Sequence, residues 1–304
     1  MADARRNAKL KQVLGYVGFA VGAFIFGLYV TFPYEVLKNR IAAEAAANGL
    51  YVKMASLGPG LLGVTASRVE VSKRMDAAED KPPVPLLIDS VAIRPSIYPP
   101  GVAVRAKLLR GTASAAVGLL GDLKLRASVD DLNLQDDNLK AFSGINLAGR
   151  VSAQLALDLP STSATKSAPP EPDLSQASGS VSLDLTDVQV NGGSVGYIDL
   201  PKVAVGDLDA KIKFEKGVGT IDKLHAKSDE LELFGTGTLK LARRIDFSEP
   251  NATLKFKAQP DLTKRLGMIA AGLSMLPTDP QSPDFRTLRV NGYVGRPSSP
   301  DLRF

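Results

Sequence analysis

Two kinds of hydrophobic pattern divide the chain. The first is an uninterrupted apolar run, Val13–Tyr34, with no charged residue between Lys11 and Glu35. At 1.5 Å per residue a helix of this length spans about 30 Å, the thickness of a bilayer hydrocarbon core. Tyr16, Phe32 and Tyr34 sit near its ends, where interfacial aromatics belong. A cleaved signal peptide would have a shorter apolar region and a small-residue exit, whereas this run leaves through the bulky Leu28–Pro33. The pattern therefore predicts an uncleaved transmembrane anchor over residues 12–34, after a basic tail at 1–11. Pro33 then opens a short helix over Tyr34–Asn48, stopped by Gly49, with Val36, Leu37, Ile41 and Ala45 on one side.

From Leu50 onward the period changes to two. Leu123, Leu125, Ala127 and Val129 alternate with Lys124, Arg126, Ser128 and Asp130. The same alternation recurs in Val151–Leu159, Val181–Leu185, Leu231–Leu241 and Leu254–Ala258. Strands with one dry face and one wet face are predicted, and they imply an antiparallel sheet. Gly121, Gly149, Gly179, Gly206 and Gly235 head such stretches at spacings of 28, 30, 27 and 29 residues. That period suggests one hairpin per unit, hence an elongated repeat-type sheet. Its apolar face has to be hidden by folding into a sandwich, by curling into a trough, or by a ligand or partner.

Two segments interrupt the strands. Residues 160–173, rich in Pro and Ser, read as a flexible loop; an insertion within one sheet is preferred to a boundary between two domains. Asp261–Leu276 has helical spacing at Leu262, Leu266, Ile269, Ala270 and Leu273, with Asp261 as N-cap and Pro277 as the stop. The expectation is a fold that is mainly β, with two short helices in the outer part, spanning 35–304.

Composition narrows the chemistry. Cysteine is absent and histidine occurs once, at His225, so disulfides, thiolate metal sites and paired-imidazole sites are excluded. The net charge of +5 is concentrated in the first eleven residues, where Arg5, Arg6, Lys9 and Lys11 face Asp3. The rest is almost neutral, which argues against nucleic acid as a partner. The same basic tail, against only Lys38 and Arg40 just beyond the span, predicts a cytoplasmic N-terminus. In a diderm bacterium the bulk would be periplasmic.

Candidate sites are few. His225 is flanked in sequence by Asp222, Asp229 and Glu230, which a hydrolase would have to gather into a pocket around the ring. Asp130–Asp131 and Asp136–Asp137 read as turn chemistry, since no calcium-loop spacing accompanies them. Gly58–Pro59–Gly60 reads as a tight turn, and Gly235–Thr236–Gly237 as strand glycines rather than a phosphate loop. No catalytic residue, metal ligand or cofactor is therefore designated, and a noncatalytic role is expected.

Three stretches carry a family resemblance: Phe32–Lys38 at the end of the span, Leu57–Gly63 at the start of the sheet, and Val290–Pro297 near the other end. Together with the glycine-headed strands they resemble the type II secretion system protein N (GspN) family in its longer AsmA-like form. The resemblance implies a noncatalytic accessory anchored in the inner membrane, working by contact with the secretin or other type II secretion proteins. The wider AsmA-like group implies an alternative: a lipid-binding or lipid-transfer protein for envelope homeostasis, with phospholipid along the dry face of a β-trough.

Overall fold

The computed structural model describes residues 31–47, 49–60, 62–73, 84–119, 121–160, 173–195 and 198–298, with scattered positions between 16 and 27. Most of the expected span at 12–34, all of the basic tail and residues 161–172 of the expected loop lie outside the described residues. Among the described residues no helix is long and apolar enough to cross a membrane.

The chain is mainly β. Among the described residues fourteen strands form one sheet in strictly sequential order. They are β1 Leu50–Gly60, β2 Gly63–Lys73, β3 Leu86–Ser96, β4 Gly101–Leu108, β5 Gly111–Gly118, β6 Leu123–Asn133 and β7 Ile145–Leu159. The second half holds β8 Ser178–Val195, β9 Ile198–Glu215, β10 Val218–Lys227, β11 Leu231–Lys240, β12 Glu249–Ala258, β13 Arg286–Tyr293 and β14 Arg296–Ser298. Each pairs antiparallel with the next. At about 4.8 Å per strand spacing the sheet is on the order of 60 Å across. Strands β7 and β8, which flank residues 161–172, are paired directly.

Short helices among the described residues decorate the sheet: α1 Tyr34–Ala47, α2 Asp137–Ser143, α3 Pro260–Leu266 and α4 Met268–Ser274. Helix α1 agrees with the expected element, but its packed side differs. Tyr34, Leu37 and Ile41 rest on Met54, Leu57, Ala66 and Val69, whereas Val36 is exposed.

Helix α2 replaces the expected turn at Asp136–Asp137. Asp136 caps it by accepting from the backbone N–H groups of Asn138 (2.9 Å) and Leu139 (3.2 Å), and Gly144 ends it with φ +76°. The single helix expected over Asp261–Leu276 is two, broken at Gly267 (φ +53°, ψ −119°), and its N-cap is Gln259 rather than Asp261, because Pro260 takes the first helical position.

The 28-residue hairpin unit is absent. Gly121, Gly149 and Gly179 fall just before β6, inside β7 and at the start of β8, one strand apart, but Gly206 and Gly235 sit in β9 and β11, two strands apart. Strand length varies too widely for a fixed unit: β8 and β9 have 18 residues each, β10 and β11 have 10 each. Gly58–Pro59–Gly60 belongs to β1, and the chain reverses just after it. Gly235 and Gly237 do lie inside a strand.

Bulges preserve the two-faced pattern. Val129 and Leu132 are three residues apart, yet they pair with Ala153 and Val151, which are two apart. The extra residue is absorbed at Asp131, which takes φ +53°. Asp187 (φ +51°) does the same between Leu185 and Val188, opposite Leu208 and Gly206. Without these bulges the aliphatic side chains beyond them would point to the wet face.

The β9–β10 hairpin has a two-residue turn in which Lys216 (φ +47°) and Gly217 (φ +77°) are both left-handed. Gly217 also donates to Ala177 O (2.8 Å) and accepts from Leu241 N (2.7 Å), and a Cβ there would collide with the Ser175 backbone. Gly217→Ala is therefore expected to cost about 1–3 kcal/mol through the left-handed backbone alone, read as a lowered thermal midpoint, with the collision adding to it.

Candidate functional site: an uncovered apolar face

The register places aliphatic residues on one face across the whole sheet. One row runs Pro95–Val102–Val117–Leu125–Leu157 through β3 to β7. The next runs Ile93–Val104–Ala115–Ala127–Leu155, and from Leu155 it continues through Val181, Ile212 and Ile221. Further on, Leu233 and Phe256 stand in register, as do Leu254 and Leu288. The opposite face carries the partners of the alternation: Lys124 faces Asp158, Asp184 faces Asp209, and Glu232 faces Lys257.

Cover over the apolar face is local. Helix α1 closes it above β1–β3. A second cluster joins Leu157, Leu159, Ala177, Phe214 and Leu241, with Leu174 of a 3-10 turn packed against it. Between these clusters Ile93, Val104, Ala115, Ala127 and Ala153 are only half-buried, and Val102 is 40 % exposed. Among the described residues no second sheet lies across them; strands pack on their sheet neighbours, and α2, which leaves beside β7, also reaches β3. That reach across four strands reflects curvature of the sheet.

The other candidates stay apart. His225 stands on β10 of the wet face, stacked on Phe234 with ring centroids 4.5 Å apart and planes at 9°. Its Nε2 is buried without a hydrogen bond and lies 4.0 Å from Glu232 Oε1. Asp222 is drawn to Lys213 (2.8 Å) and Glu230 to Arg265, so the structure does not bring them together around the ring. The backbone N–H of Ala204, followed by Arg265, holds the Glu230 carboxyl below the ordinary glutamate value. Asp130 accepts from Ser128 and Asp131 pairs with Arg150. Among the described residues no group of three acidic or imidazole side chains is placed to hold a metal ion.

The wet face also carries an aromatic cluster around Phe234, absent from the sequence reading. Phe285, in the strap between α4 and β13, lies over Phe234 with centroids 5.8 Å apart. Two ion pairs pin the strap: Asp279 to Lys255 (2.7 Å) and Asp284 to Lys257 (2.8 Å). The lysine hydrogen bonds hold both carboxyls below the ordinary aspartate value, and Asp284 raises Lys257 above the ordinary lysine value.

A carboxyl lowered on folding adds stability above its unfolded value, and that stability fades as pH falls through the folded value. The raised lysine contributes fully below its unfolded value and stops contributing as pH rises through the folded one. The strap is therefore expected to loosen below about pH 4. Faster amide exchange over 276–285 would register this, and Asp279→Asn should weaken the acid dependence there.

Comparison with known proteins returned no matching family model, no matching curated protein and no matching solved structure.

Proposed function

We propose that the chain is a noncatalytic envelope protein whose working part is a lipid-holding β-trough of AsmA-like form, carried at a membrane by the apolar run at 12–34. One observation carries this reading: the aliphatic rows between α1 and the Phe214 cluster lie on a curved sheet with no layer over them among the described residues. A monomer seldom exposes a contiguous apolar patch beyond a few hundred Å². Burial of that face removes hydrocarbon from water, and acyl chains supply a matching surface with no demand for directional bonds. The trough needs no catalytic group to work; it shields an aliphatic chain while the head group stays in water.

The resemblance of Phe32–Lys38, Leu57–Gly63 and Val290–Pro297 to the type II secretion protein N family supplies the setting. In that setting the protein is an inner-membrane accessory of the secretion machine, with most of the chain in the periplasm. It would meet the secretin or the assembly platform by contact, and the outer edge of β1 offers eleven residues of backbone for strand addition.

Native mass spectrometry of the full chain, extracted in mild detergent, tests the lipid reading. Retained phospholipid is the expected result, and a lipid-free chain would end it. The setting is tested separately by crosslinking in envelopes: the secretion reading expects a secretin or platform protein among the products, and normal exoprotein secretion in a deletion strain would remove it.

A further inference from the structure

The wet face holds a hollow of about 270 Å³ over β3–β6. Its rim carries Arg94, Arg105 and Arg126, with Ser96 and Tyr98 at one side. Register explains the concavity. Arg94, Ala103, Ala116 and Arg126 form one row across four strands, so two methyl groups lie between two long cations. The arginine Cα atoms are three strand spacings apart, about 14 Å, which both side chains can close from opposite walls. Arg105 rises from the adjacent row, in register with Ser114 and, beyond it, Ser128.

The three cations are not equivalent. Arg126 is tied down: it donates to Leu157 O (2.9 Å), Leu125 O (3.1 Å) and Asp158 Oδ1 (2.7 Å). Several basic groups elsewhere on this face are matched, as in Lys213–Asp222, Lys223–Asp209 and Lys255–Asp279. Among the described residues Arg94 and Arg105 have neither an acidic nor a hydrogen-bonding partner. Ser128 donates to Asp130 Oδ2 (3.0 Å), so the contact between the Ser114 and Ser128 hydroxyls (2.9 Å) takes its proton from Ser114. The hydroxyls of Ser96 and Tyr98 are uncommitted among the described residues.

Two unpaired guanidinium forks from neighbouring strands, aimed over one hollow, call for an anion with more acceptor oxygens than a carboxylate. A carboxylate is satisfied by one fork; a tetrahedral phosphate presents enough oxygens for two forks and a hydroxyl. We propose that this hollow binds a phosphate group, gripped by Arg94 and Arg105 and bounded by the fixed Arg126, with room for the small alcohol that the phosphate esterifies. The site lies on the face opposite the trough and does not depend on what fills that trough. A phospholipid head group and a soluble phosphate ester offer the same chemistry.

The test uses the full chain in a neutral maltoside detergent. Equilibrium dialysis against radiolabelled glycerol phosphate reads the soluble source. Flotation with phosphatidylcholine vesicles, with and without phosphatidic acid, reads the lipid source. Binding in either arm is expected to weaken at least tenfold in Arg94→Gln/Arg105→Gln and to stay within twofold in Lys213→Gln, which removes a cation from the same face outside the hollow. Asp130→Asn, which takes a negative charge from beside the hollow, should hold or tighten it. Unchanged thermal midpoints show that the variants fold. Binding in both arms assigns the phosphate group itself, and binding in one arm assigns the source. No binding in either arm, a double variant within twofold of the parent, or an equal loss in Lys213→Gln would overturn the site.

Discussion

Ala115→Trp combined with Ala127→Trp is expected to empty the trough of lipid while leaving the sheet folded. Ala115 and Ala127 are in register on β5 and β6, in the middle of the half-buried stretch. Two indoles there fill the groove that an acyl chain would follow. They stay apolar and meet no covering layer among the described residues, so overpacking of the usual core kind does not arise. Copurified phospholipid should fall at least tenfold, with the thermal midpoint unchanged or raised. Lipid retained at the parental level would mean that it rides elsewhere on the molecule. A polar pair would be a poorer choice, because a charge on a dry face destabilises the fold as well as the occupant.

Phe214→Ala is expected to be the most destabilising single truncation in the sheet. Phe214 is 5 % exposed and lies among Leu157, Leu159, Ala177 and Leu241. It is in register with Gly179 on one side and Gly219 on the other, and a Cβ on Gly219 would come within 2.5 Å of the ring. The ring thus occupies space that Gly219 leaves open. Removing it from a buried site costs about 3–5 kcal/mol. Since the cluster ties together β7, β9 and the segments that enter β8 and leave β11, the loss should spread. Amide exchange in detergent should accelerate across those strands and spare β1–β3, which rest on their own cluster beneath α1. Uniform acceleration over all fourteen strands would show that the sheet unfolds as one unit instead.

Alternation was enough to find β6, β7, β8, β11 and β12, since Leu, Val and Phe there trade places with charged residues. It was blind to β5, whose sequence Gly111–Gly118 puts Ala on both faces and offers little contrast. The helix at Asp137–Ser143 hid behind two aspartates that equally suit a turn; the deciding feature is Gly144 at the far end, which closes the helix in the left-handed conformation. The break at Gly267 escaped because hydrophobic spacing runs through it unchanged. The dry face itself could be read from the chain, but whether anything lies over it could not, because a folded-over sandwich and an open sheet share one pattern. The arginine hollow was wholly invisible: Arg94, Arg105 and Arg126 come from three strands, and only the pairing of Arg94 with Ala103, and of Ala116 with Arg126, aligns them.

The sequential strand order also bears on how the chain acquires its structure. Every strand needs only the one made immediately before it, so no segment waits for a distant partner, and loop-closure costs stay small at each step. Assembly can proceed by zipping from β1 outward while later residues are still being delivered, with the growing edge as the single unfinished boundary. Deletions from the β14 side should therefore leave shorter sheets still able to form, whereas loss of β1 and its helix removes the seed on which the first rung is laid.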